Sequence, residues 1–255
     1  MKAVLAFTAI NLKRVVKDWP NLVFSVLLPV VLYLIFGAAQ DYGGQSFAGG
    51  NVTAFVMVGM ALYAGITAAV SAASSAVVEN HSGWGRQLAL TPMRPAQIIA
   101  AQALIIVARA VLSIGAVYLA GALTGASMPA QNWAATFALA VVACLPFGFY
   151  GLAWVLLVPN ENTVAMASTS VVILAFAGNL FMPLPLDWLE GGRLTPVYGA
   201  GALARYPVSE GYQVLRDDPY VVHDPLWYAV VNCLVWACLF VGACAVLSRR
   251  DKRRT

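Results

Sequence analysis

Charge is what this sequence has least of. Among 255 residues only 10% are Asp, Glu, Lys or Arg, against 61% hydrophobic, and the mean hydropathy is +0.77. A soluble domain carries about 25% charged residues because water must wet its surface. A chain of this length could bury a large core, but so few charges could not cover it. The scarcity is concentrated in six apolar runs, at 20–39, 53–77, 98–121, 133–158, 163–181 and 226–247, which contain no Lys, Asp or Glu and a single Arg. Each is near the ~20 residues that carry a helix across a hydrocarbon core of about 30 Å. The short alternating segments of a membrane β-barrel are absent. With backbone groups unable to go unpaired in lipid, the expected fold is all-α and membrane-integral, with six spans in one domain covering 1–255 and a long loop at 182–225.

Other absences narrow the chemistry. No HExxH, no GxSxG and no cluster of carboxylates lies within the runs, which speaks against an intramembrane enzyme. Ion-coupled transporters keep acidic or histidine relays inside their spans, and none is found here. The four lysines follow Met1, Leu12, Val16 and Asp251. A phosphate-cradling loop with Gly directly before Lys therefore does not occur, and no cofactor is expected on this chain. Cys144, Cys233, Cys238 and Cys244 all fall inside runs without a CxxC spacing, as packing residues would. His81 and His223 fall on opposite membrane faces in the six-span order, so no metal site is expected. The short stretch from Ala3 to Ile10 runs into Lys13, Arg14 and Lys17, not into a cleavage site for a signal peptide.

What charge there is has a side. Lys2, Lys13, Arg14, Lys17, Arg86, Arg94, Arg249, Arg250, Lys252, Arg253 and Arg254 share one face of a six-span order. Arg193, Arg205 and Arg216 on the other face are outweighed by six acidic residues between Asp187 and Asp224. The positive-inside rule then puts both termini in the cytoplasm. The net charge of +4 reflects this bias; no basic patch interleaved with aromatics points to nucleic acid, and membrane lipid headgroups are the expected partner.

Before the first run, Val4, Leu5, Leu12, Val15, Val16 and Trp19 gather on one helical arc, opposite Lys2, Lys13 and Lys17 with Arg14 beside them. That pattern predicts an amphipathic helix in the cytoplasmic interface, turned into the bilayer at Pro20. In the second run, Ala61, Gly65, Ala69 and Ala73 form a ridge of small residues beside Ala64, Ala68, Ala72 and Ala76. Small ridges let backbones approach closely in lipid, so this helix is buried against others, of the same chain or of a second copy.

The connection between the second and third runs is longer and more polar than joining two helices requires. It carries Glu79, His81, Trp84, Arg86, Leu88, Leu90, Pro92 and Arg94, with a stop at Pro92 and a restart at Pro95. A Trp and two Arg at the water interface suit the docking of a cytoplasmic partner. Together with the basic amino-terminal segment and the six runs, Leu88-Ala89-Leu90-Thr91-Pro92-Met93-Arg94 resembles the coupling element of the ABC-2 permease family, the membrane subunits of type-2 ABC exporters. The stretch from Gly178 to Leu189, with Pro183 and Pro185, is similar to the family's re-entrant segment after the fifth span, and Leu194-Thr195-Pro196-Val197-Tyr198 to its Pro-Tyr region.

The resemblance implies a division of labour: ATP and Mg bind a separate ABC ATPase subunit in two copies, and this chain forms the path with a second permease copy or a homologous permease. The coupling residues would be Glu79 to Arg94. A bacterial cell membrane is the expected location. The compact loops favour a hydrophobic drug, natural product or antimicrobial peptide as substrate, with lipid or lipid-linked glycan export, or ion-coupled transport, as the alternatives. Arg109, the single charge inside a run, would lie about 16 Å deep if the third helix enters lipid at Ile98. It then marks a pathway residue or ion pair. Gln97 and Gln102 favour a cytoplasmic rim instead, where Arg109 snorkels or pairs with Glu79.

Overall fold

The computed structural model describes residues 23–79 and 95–251. The chain is mainly helical. A short helix α1 (Leu28–Tyr33) is flanked by π-type turns at Val23–Leu27 and Leu34–Ala38. There follow a two-residue ladder of β1 (Ser46–Phe47) with β2 (Gly50–Asn51), then α2 (Val52–Glu79) and α3 (Pro95–Leu123). Next are α4 (Ala130–Cys144) and α5 (Pro146–Leu157), one apolar stretch divided where Pro146 has no N–H to offer the ladder. The remaining elements are α6 (Glu161–Ala177), α7 (Leu186–Gly192), α8 (Pro196–Ser209), the antiparallel hairpin β3 (Tyr212–Val214) with β4 (Val221–His223), and α9 (Leu226–Asp251).

Four stretches are long and apolar enough to cross a bilayer: Val52–Val78, Gln97–Leu123, Ala130–Leu157 and Leu226–Arg249. Ser25–Ala38 and Glu161–Ala177 are shorter apolar helices. The short α6 departs from the run at 163–181. Asn160 starts it early, its Oδ1 accepting from the Thr163 amide at 2.8 Å. Gly178 and Asn179 stop it early: Asn179 takes a left-handed φ of 55°, and the Leu180 amide reaches back to Ala175 O at 3.0 Å. This is the Schellman closure, and Asn tolerates the left-handed position better than most residues.

The hub is α2. Of its apolar stretch 83% is buried, against 11% for Leu226–Arg249, so α2 is wrapped by its own chain while α9 leaves most of its surface uncovered by it. Gly65 lies against Ile114 and Cys144, and Gly148 packs near Ala73, so the partners of the small ridges are α3, α4 and α5 of the same molecule.

At the end of the bundle away from Glu79 and Pro95, the connections are tied together. Asn51 Oδ1 accepts from the Ala54 and Ser127 amides at 2.9 and 3.0 Å, and its Nδ2 donates to Gly125 O. Asn132 Nδ2 donates to Gly49 O and Pro207 O. One asparagine thus caps α2 while holding the α3–α4 turn, and another joins α4 to the end of α8.

Candidate functional site

The segment after α6 folds back into the bundle. Thr195 caps α8 by accepting from the Tyr198 amide, with Pro196 in the first turn where its missing N–H costs nothing. The run Gly199-Ala200-Gly201-Ala202, which reads as loop by composition, is buried helix packed on α4, α9 and α2. Small size is the reason: a Cβ on Gly199 would collide with the Asn232 amide.

The corner between α7 and α8 is held by a stripe on α9. Tyr228 Oη and Asn232 Nδ2 both donate to Arg193 O, at 3.1 and 2.8 Å, and Trp236 Nε1 donates to Leu194 O at 2.9 Å. Their four-residue spacing puts them on one face, which continues through Phe240, against Phe147 and Tyr150, to Cys244 beside Phe149 O. Trp236 lies ten residues into α9, so the corner is held along roughly the first 15 Å of that helix. An ion pair locks the arrangement: Arg193 Nη2 lies 2.6 Å from Asp224 Oδ1, and Tyr198 Oη donates to Asp224 Oδ2. Burial first, and the Asp224 carboxylate second, push the Tyr198 phenol above its ordinary pKa and keep it a donor.

In the second half of α8 stands Arg205, 3% exposed. Its Nη1 donates to Asn179 O at 3.1 Å and its Nη2 to Leu180 O at 2.7 Å. The guanidinium carbon lies 4.2 Å from the centroid of Phe55. Against its Nε–Nη2 edge is Gly59, where any Cβ would collide with the guanidinium. The cation therefore sits on the carbonyl end of α6, where the helix dipole is negative, under a ring face of α2. Burial lowers its pKa to about 9, so the charge persists at neutral pH. Among the described residues it has no carboxylate partner.

Arg205 lines a cavity of about 250 Å³ between the exit of α1, the start of α2 and the chain after α6, with Phe36, Tyr42, Phe55, Phe181 and Met182. Asn179 shapes its floor, Oδ1 accepting from the Leu184 amide at 2.9 Å and Nδ2 donating to Val214 O at 3.1 Å. Replacing Asn179 by alanine should cost about 2–3 kcal/mol, from a strained left-handed backbone and two lost hydrogen bonds. Asn179→Gly relieves the backbone and should recover roughly 1 kcal/mol of that. Thermal unfolding of the two variants in detergent checks the order. A larger cleft of about 440 Å³ between Ala73, Val77, Ile99, Ile106 and Phe149 is apolar apart from Gln102, so it has little with which to orient a ligand.

Of the residues singled out by sequence, Arg109 stands half-buried at the midpoint of α3 and is not among those lining the Arg205 cavity. Glu79 is the last residue of α2. His81, Trp84, Arg86, Leu88, Leu90, Pro92 and Arg94 lie outside the described residues, as do Lys2, Lys13, Arg14 and Lys17 of the amphipathic segment. Tyr33 and Tyr63 are packing residues: Tyr33 Oη is 2.7 Å from Thr124 Oγ1, and Tyr63 meets Phe181 edge-on at 4.7 Å. Phe55 does more, forming both the ring over Arg205 and a wall of the cavity. By sequence Arg205 is only one more charge in the loop at 182–225. The signal that would have found it is an arginine at helical spacing behind four consecutive Gly and Ala residues.

Long apolar helices around a buried hub, with a helical corner folded back into one end, define a polytopic α-helical membrane protein. Among the described residues no three His, Cys, Asp or Glu gather as metal ligands. The family model for ABC-2 type transporters matches residues 2–193, and the chain belongs to that family, whose membrane domains partner ABC ATPases. The match ends at the α7–α8 corner, so Arg205 and α9 lie beyond it. No individual curated protein matches the sequence.

Proposed function

We propose that this chain is the permease subunit of an ATP-driven exporter. It crosses a bacterial inner membrane six times, with both termini cytoplasmic, and forms the translocation path as a dimer with a second copy or a homologous permease. Two copies of a separate ATPase carry the ATP and Mg; this chain is not itself an enzyme. Closure of the ATPase pair pushes the element from Glu79 to Arg94, and α2, which ends at Glu79, carries the push into the core of the bundle. The substrate is a hydrophobic drug, natural product or antimicrobial peptide.

The observation that most supports this reading is the family match over residues 2–193. The burial of α2 supports the coupling step, since a helix packed on nearly every neighbour cannot move without them.

A tagged chain extracted from its own host should co-purify an ABC ATPase lacking spans. Arg86→Glu with Arg94→Glu should reduce that recovery at least tenfold, with the permease still folded by thermal melt. In liposomes, the reconstituted pair should move substrate only with ATP. Recovery of no ATPase, together with transport indifferent to ATP, would end the proposal.

A further inference from the structure

The Arg205 guanidinium has five N–H donors, and carbonyls take two of them. Its Nε is buried with no hydrogen-bond partner. A buried cation left with carbonyl dipoles, a ring face and an unused donor is expensive unless something anionic completes the site. Phe55 covers one face of the guanidinium and Gly59 closes its Nε–Nη2 edge, so the donors left for that group are the Nη hydrogens the carbonyls do not take, approached from the cavity with Phe36, Phe181 and Met182 that Arg205 lines.

We propose that this cavity holds the anionic head of an amphiphile, a phosphate ester or carboxylate, on Arg205, with the start of its apolar tail along Phe36, Phe181 and Met182. The volume supports a headgroup and the first few carbons: about 250 Å³ falls below the ~300–1,000 Å³ of sites that enclose a whole drug-sized ligand. The mouth supports a tail. Phe36 and Met182 are 37% and 46% exposed there, beside Ile35 at 51%, so an alkyl chain leaves the cavity over apolar surface. Charge specifies the sign of the head, because the lining contains one cation and no carboxylate. Arginine's planar fork suits phosphate and carboxylate oxygens better than a point charge would.

The binding belongs to this chain alone, so its outcome does not depend on whether an ATPase drives transport. Full-length protein purified in a neutral detergent is titrated with dodecyl phosphate, dodecylphosphocholine and dodecyltrimethylammonium, with bound species counted by native mass spectrometry. Dodecyl phosphate should bind once per chain, at least tenfold tighter than either of the others. Arg205→Gln should remove that preference and Arg205→Lys should retain part of it. Met182→Trp narrows the mouth without touching the guanidinium, and should weaken dodecyl phosphate at least fivefold at unchanged thermal stability. If Arg205→Gln fails to fold, the headgroup preference and Met182→Trp still decide. Equal binding of the three heads, or a Met182→Trp protein that binds dodecyl phosphate as tightly as the parent, overturns the site. Phosphatidylglycerol carried through purification and displaced by dodecyl phosphate would assign the natural occupant to the bilayer. Dodecyl phosphate binding to a lipid-free preparation would assign it to a passing amphiphile.

Discussion

Gly59→Val should destabilise the protein by about 3–5 kcal/mol, combining overpacking of a filled interior with loss of charged hydrogen bonds from Arg205. The first Cβ at this position already collides with the guanidinium, and α2 cannot retreat because it is enclosed by its neighbours. Arg205 must then leave Asn179 O and Leu180 O, just past the end of α6. The same reasoning makes the cost non-additive. Arg205→Ala opens the space that the valine needs, so Gly59→Val combined with Arg205→Ala should be less damaging than the sum of the single changes by roughly 2 kcal/mol. Thermal or denaturant unfolding of the four proteins in one detergent measures this. Additive effects would mean that Gly59 and Arg205 are not pressed together.

Asp224→Ala should cost about 3 kcal/mol, because it leaves the Arg193 charge half-enclosed without its counter-ion. The pair is largely withdrawn from water, with Arg193 and Asp224 side chains 27% and 10% exposed. Tyr198 Oη loses its acceptor in the same step. Tyr198→Phe removes that single hydrogen bond to a charged group and should cost about half as much, roughly 1.5 kcal/mol. An enclosed pair is weakly screened, so raising salt from about 0.1 to 0.5 M should change the Asp224→Ala deficit little. A deficit that vanishes in salt would place the pair at the surface.

The long helices are plain in the sequence because lipid leaves few other solutions for twenty uncharged residues. What lies between Leu186 and Ser209 is less plain. Its helices α7 and α8 have polar and charged members, and Gly199 to Ala202 read as a loop by composition. Burial of that run depends on Asn232 and on neighbours far along the chain. Arg205 illustrates the limit: counted with Arg193 and Arg216 it is one more loop charge, and only the tertiary fold brings Phe55, Gly59 and two carbonyls around it. The end of α6 was partly readable. Gly178-Asn179 is a helix stop, yet hydropathy continued through Leu180 and Phe181, and those residues stay apolar because they are buried after the turn.

That early stop bears on the bilayer around the chain. With seventeen residues, α6 is about 25 Å long, shorter than a hydrocarbon core of about 30 Å. A short apolar helix is accommodated by a thinner bilayer beside it or by apolar residues that continue past its end. Leu180, Phe181 and Met182 supply such a continuation, the first two buried and the third exposed. The membrane thickness that suits this protein therefore depends on where one helix stops.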